Sequence, residues 1–280
     1  MDTFEPSTNG SAIQRGNIYT YITDNYKLST NQSYHPGTCG DQNTLSIATL
    51  PNGLTVYTTN PFRDECDMTP GYWAGFGVAP DSAQDKNVIM SIYDIPDGRI
   101  LMAPQDISQY THTLFPEELF DECSVEGKYA FGRKGDTYIA LIGSSDLYYK
   151  PYDQAQVDSL ELNLTDTSKR FDLAQDGSEQ FWIYELSSTS EEGNFEDFKA
   201  RIKANSITFE DMTLSYVSDG VTRLLAYNGD FTVDGTIVDL NYDRFESPYI
   251  TAERKSSTFS FDYAGHTLTL DFDNHTRTKS

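Results

Sequence analysis

Positive charge is scarce in this chain. Lysine and arginine total 20 against 43 aspartates and glutamates, for a formal charge of -23 over 280 residues. The average field of such a surface repels a polyanion, which argues against a nucleic-acid partner. Cysteine is scarcer still. Cys39, Cys66 and Cys123 are too few, and odd in number, to make a disulfide framework. No apolar run is long enough for a membrane helix, so no membrane partner is expected. The opening MDTFEPSTNGSAIQRGN has no charged start followed by an apolar stretch, so it does not read as a signal peptide, and the sequence assigns no compartment. Long Ala/Leu/Glu/Lys runs are scarce, which argues against a helical protein. There is no Walker phosphate loop, no nucleophile-elbow serine and no dinucleotide fingerprint. His35 and Cys39 with Cys66 could supply part of a zinc site. They lack the paired short spacings of a structural zinc motif, so neither metal nor cofactor is expected.

What the chain does have is aromatic residues and alternation. Its 19 tyrosines and 16 phenylalanines suit half-buried strand surfaces. Six stretches of period-2 alternation are broken by short glycine turns. They are TLSIATL-PNG-LTVYTT (44–59), NVIMSIYDI-PDG-RILMA (87–103), KYAFGRK-GD-TYIALIG (128–143), TLSYVS-DG-VTRLLAY, DFTV-DG-TIVDL and STFSFDY-AG-HTLTLDF. Consecutive hairpins mean antiparallel sheets. One helix is predicted in EEGNFEDFKARIKAN, with Asn194 as cap and Phe195, Phe198 and Ile202 as its apolar stripe. A second short helix is predicted in PEELFDEC (116–123), with Pro116 at its first position. The fold class is therefore all-β, a large antiparallel β-sandwich with one or two short helices. It is read as a single domain over 1–280, with a flexible 1–16 and a polar connection near 144–180.

Several stretches occur in an order that resembles a known family. They are YKLSTNQSYHPGTCGDQNTLSIATL, PGYWAGFGVAPDSAQDKNVIMSIYDI, THTLFP (111–116) and EGKYAFGRKGDTYIALIGS. Together they resemble the C-terminal β-sandwich half of heparinase II/III-like polysaccharide lyases, in which a helical (α/α) toroid precedes the sandwich. The resemblance implies a carbohydrate-active module that binds a glycan or helps to cleave it. It also implies a toroid domain or subunit as partner, because in such lyases the toroid supplies the catalytic tyrosine and most of the polar groups. This chain carries no toroid, so an activity that needs both halves would be absent or would depend on that partner.

Three constellations are candidates for the chemistry. In SYHPGTCGDQ, Tyr34 and His35 form a proton-transfer pair, with Asp41 and Gln42 beside them as polar contacts. β-Elimination from a uronate needs a base for the C5 proton and an acid for the leaving oxygen, and a tyrosine with a histidine can serve. The same residues also read as a turn set by Pro36, Gly37 and Gly40. In GYWAGFGVAPDSAQDKN, Tyr72 and Trp73 either plug a core from a loop or offer flat faces to sugar rings. Gln84, Lys86 and Asn87 follow as polar groups for sugar hydroxyls. His112 in YTHTLFP is either a second acid–base element or a hydrogen-bonded structural histidine. The alternative to a glycan module is a non-catalytic sandwich that docks a partner. The overall negative charge favours a neutral or weakly charged glycan over a uronate.

Overall fold

The computed structural model describes residues 17–32, 36–37, 46–60, 73, 77–95, 111–152, 154–159, 166–240, 243, 245–253 and 256–280. The fold is all-β and antiparallel. Where the sequence reads as one domain, the chain forms two compact units, one spanning Ile18–Val238 and the other containing Asp239–Ser280.

The first eleven strands are β1 (Asn17–Ile22), β2 (Lys27–Gln32), β3 (Ser46–Thr49), β4 (Thr55–Thr59), β5 (Asp81–Asp85), β6 (Val88–Asp94), β7 (His112–Leu114), β8 (Glu122–Glu126), β9 (Tyr129–Lys134), β10 (Thr137–Gly143) and β11 (Tyr148–Tyr149). Helix α1 (Gln154–Ser159) and strands β12 (Asp172–Ala174) and β13 (Glu179–Ser188) follow. Next come helices α2 (Thr189–Glu192) and α3 (Phe195–Ala204) and strands β14 (Ser206–Glu210), β15 (Thr213–Ser218), β16 (Val221–Ala226), β17 (Phe231–Val233) and β18 (Thr236–Ile237).

Two sheets form the sandwich. One has the order β1-β2-β3-β4-β7-β12-β11 and the other β5-β6-β13-β10-β9-β8. Alternation decides which side chains meet between them. Leu28, Ala48, Val56 and Leu173 point inward from the seven-stranded sheet, against Ile89, Tyr93, Ile139, Leu141, Trp182, Tyr184 and Leu186 of the six-stranded one. The large rings carry polar tips, and these find partners across the core. Trp182 Nε1 donates to Thr111 Oγ1 at 2.6 Å, and Tyr184 Oη lies 2.5 Å from Thr58 Oγ1.

The outward face of the six-stranded sheet is covered. Phe131 and Tyr138 meet Phe198 and Phe195 of α3, and Phe181 meets Phe209 of β14 edge-on at 5.3 Å. Helix α3 forms where the apolar spacing places it. Asn194 Oδ1 accepts from the Asp197 N–H at 2.9 Å, Glu196 and Asp197 occupy the first turn, and Phe195, Phe198 and Ile202 are buried. The sheet β14-β15-β16-β17-β18 belongs to the same unit.

The other unit holds β19 (Phe245–Glu246), β20 (Ile250–Ala252), β21 (Thr258–Tyr263), β22 (His266–Asp271) and β23 (Thr276–Lys279), paired in sequence order. Phe259 touches Phe245 and Phe272 on one face of this meander.

Two local expectations change. Residues 116–123 do not make a short helix. A 3₁₀ turn over Glu117–Leu119 gives way to β8, because Cys123 and Val125 alternate inward onto the core. Strand β6 takes its hairpin partner from upstream, pairing with β5 across Lys86–Asn87, and β13 lies on its other side. The predicted partner strand at 99–103 lies outside the described residues.

Candidate functional site

The site is set by three short strands of the seven-stranded sheet. In the register of β4, β7 and β12, Thr59 pairs with His112, Tyr57 with Leu114, Asp172 with Leu114 and Ala174 with His112. Directly paired residues share a face. Val56 and Leu173 are in the core, so Tyr57, His112 and Asp172 all project outward, away from the sandwich interior.

An outward face of a sandwich ordinarily meets water, yet here its polar groups are buried. His112 and Asp172 are both 0% exposed. His112 Nδ1 lies 2.8 Å from Asp172 Oδ1, a hydrogen bond that fixes the orientation of the ring. The second carboxylate oxygen accepts from the Tyr152 hydroxyl, and Lys150 Nζ lies 3.9 Å from it. Burial, the largest single influence on Asp172, favours the protonated acid. The charge and hydrogen bond of His112, the charge of Lys150 and the hydroxyl of Tyr152 outweigh it and hold the carboxyl below its ordinary value. Asp172 is thus an anion ringed by donors, the arrangement that makes a buried charge tolerable.

Above this polar floor lie aromatic rings that are only half-buried. The Trp73 ring sits 4.3 Å from the His112 imidazole, centroid to centroid. Tyr57 meets Trp73 edge-on at 5.9 Å, and Phe171 lies 6.2 Å from it. Phe171 in turn stacks on Tyr152 at 5.4 Å with 12° between planes. Tyr57, Trp73 and Phe171 all keep partial access to solvent. The Tyr57 phenol is pushed up, first by burial and then by the charge of Asp172, so at neutral pH it is a hydrogen-bond donor.

Two residues nominated by sequence, His112 and Trp73, come from separate stretches and are in contact here. Trp73 is neither a wholly buried plug nor an isolated ring: it lies tilted against buried His112 and keeps partial access to solvent, as do Tyr57 and Phe171. Gln84, Lys86 and Asn87 stand in the β5–β6 hairpin of the other sheet. Gln84 is buried and gives its amide to the Leu28 and Lys86 carbonyls, Asn87 gives its amide to the Leu186 carbonyl, and Lys86 is exposed at a turn with φ 50°. Tyr34, His35, Asp41, Gln42 and Tyr72 lie outside the described residues.

Sequence reading missed Tyr57, Lys150, Tyr152, Phe171 and Asp172. The last four fall in the stretch read as a polar connection, and a strand of three residues leaves almost no periodic signal. The one available sign was an acid inside an apolar alternation, Phe171-Asp172-Leu173-Ala174.

Among the described residues, no group of three or more His, Cys, Asp or Glu side chains is placed to hold a metal ion. No helix among them is long and apolar enough to cross a membrane. Comparison of the chain with protein-family models, with curated proteins and with solved structures finds no match in any of the three.

Proposed function

We propose that this protein is a carbohydrate-active β-sandwich module that binds a glycan on the outward face of its seven-stranded sheet. The observation that carries this reading is the half-exposed cluster of Tyr57, Trp73 and Phe171, seated on the fully buried His112–Asp172 pair. Flat apolar faces with hydrogen-bonding edges suit sugar rings, which present C–H patches bordered by hydroxyls. A ring held from below by a locked polar pair also loses little freedom on binding. Lys150 offsets Asp172 in the floor, and the chain as a whole is strongly acidic, so a neutral or weakly charged glycan is the better fit. On this reading the resemblance to the sandwich half of heparinase II/III-like lyases is one of module type, and a helical toroid domain or subunit remains the proposed partner for any cleavage.

A second reading, in which the module takes part in cleavage, is favoured by the His112–Asp172 pair itself. A histidine held by a carboxylate is the arrangement of an acid–base pair, here wholly buried beneath Trp73 and so placed to act through its neighbours, and the partly exposed Tyr57 is a phenol that keeps its proton. One experiment separates these. The purified chain is titrated with neutral and acidic oligosaccharides while its unfolding temperature and the ultraviolet absorbance of an unsaturated product are recorded. Stabilisation by a sugar, lost in Trp73→Ala, establishes binding. A glycan at a hundredfold excess over Kd stabilises by about 2.7 kcal/mol. New absorbance that His112→Ala abolishes establishes elimination. Absence of any sugar response would leave the structural, partner-docking alternative.

A further inference from the structure

We infer that the chain forms a two-fold dimer through the free edge of β1, by antiparallel pairing of Ile18–Ile22 with the same segment of a second copy.

Among the described residues, strand β1 ends the seven-stranded sheet. Its hairpin with β2 closes where Thr23 N–H donates to the Tyr26 carbonyl at 2.9 Å. Counting back from that closure places Thr20 opposite Ser29, and their hydroxyls are indeed in contact. Antiparallel pairs alternate between hydrogen-bonded and non-hydrogen-bonded, so Tyr21 and Tyr19 bond to β2. The peptide groups of Ile18, Thr20 and Ile22 therefore point away from the sheet. The side chains of the same residues are uncovered, with Ile18 71% and Ile22 69% exposed.

An open edge of this kind is normally blunted by shortness, charge or cover. The other edges of the two sandwich sheets show those devices. Strand β11 has two residues, β8 carries Glu122 and Glu126, and β5 carries Asp81 and Asp85 and is bridged to β2 where Gln84 N–H donates to Gln32 Oε1 at 2.6 Å. By contrast, β1 reads NIYTYI, six residues with no charge, proline or glycine.

The occupant follows from the sequence of the strand. Ile18-Tyr19-Thr20-Tyr21-Ile22 reads the same in both directions. Antiparallel pairing centred on Thr20 sets Ile18 against the second copy's Ile22, Thr20 against Thr20, and Tyr19 against Tyr21, and each outward peptide group meets its complement. That is an isologous contact, which closes at two copies. It also brings two strongly acidic chains together along an uncharged strip, where their repulsion is least. Screening by salt therefore strengthens it.

Sedimentation equilibrium of the whole chain at low and high salt tests this. The expected result is a dimer, tighter at high salt, which becomes a monomer in the double variant Ile18→Lys/Ile22→Lys, with an unfolding temperature equal to that of the wild type diluted to monomer. Thr20→Pro gives a second check, because its N–H faces outward and proline there removes an intermolecular bond while sparing those to β2. A wild type that stays monomeric at both salts overturns the inference. So does a dimer that the lysine variant leaves intact, or an open-ended assembly in place of a closed pair.

Discussion

On the six-stranded sheet the outward face is apolar and covered: Phe131, Tyr138 and Phe181 pack under α3 and β14. On the seven-stranded sheet the corresponding face carries His112 and Asp172, with half-exposed rings above them. Both faces bury a carboxyl group, in different company. Glu185, on the covered face, accepts from Arg201 Nη1 at 2.6 Å and from the Tyr216 hydroxyl, tying β13 to α3 and β15. Its partners lie on elements that the sheet must hold in place, which is a fastening role. The partners of Asp172 come from its own sheet and the segment beside it, and what they support is an aromatic surface with no element packed on top of it among the described residues. The lesson is that burial of a carboxyl does not by itself nominate a site; what lies above it does.

The largest expected effect is on the covered face. Glu185→Ala should destabilise the fold by about 3 kcal/mol, the low end for breaking a buried pair, because Glu192 still holds Arg201. Urea unfolding measures it. A loss no greater than that of an exposed glutamate would remove the contrast between fastening and floor.

The pH dependence of the two faces should differ in sign. Asp81, at the start of β5, is raised to about 6 by burial, against backbone hydrogen bonds from Asn228 and Ser82 that pull it down. A carboxyl that holds its proton more tightly in the folded state makes the fold lose stability as pH rises from about 4 to 6. Asp172 is depressed, so its contribution is present above about pH 4 and disappears as pH falls through its lowered folded value. In urea unfolding followed from acid to neutral pH, Asp81→Asn should flatten the first slope and add about 3 kcal/mol at neutral pH, whereas Asp172→Asn should remove the acid limb. Two limbs of the same sign would refute the assignment.

The smallest effect sharpens the comparison. Asn194→Ala removes the α3 cap and should cost about 1 kcal/mol, read as a shift in the urea midpoint. Glycan affinity, proposed for the opposite face, should stay within the error of the titration.

Much of the strand layout was legible. Hairpins β9–β10, β15–β16 and β21–β22 form where the turns announced them, with Gly135, Gly220 and Gly265 at positive φ. Local turn chemistry carries that information. It does not carry which hairpins lie side by side, and so the pairing of β10 with β13 and of β7 with β12 could not be read. The site suffers most from this limit. His112 could be nominated from its neighbours, but its partner Asp172 lies 60 residues away, joined to it only by sheet order. A half-pair is chemically ambiguous until topology supplies the other half.

The two tryptophans of the chain occupy the two kinds of place contrasted above. Trp182 is wholly buried and spends its indole N–H on Thr111, while Trp73 sits at the rim against His112. Their fluorescence should accordingly separate into a blue component from the interior and a redder one from the rim. A sugar that occupies the rim would shift only the red component, and unfolding would move both, so the untagged protein contains its own reference dye and its own sensor.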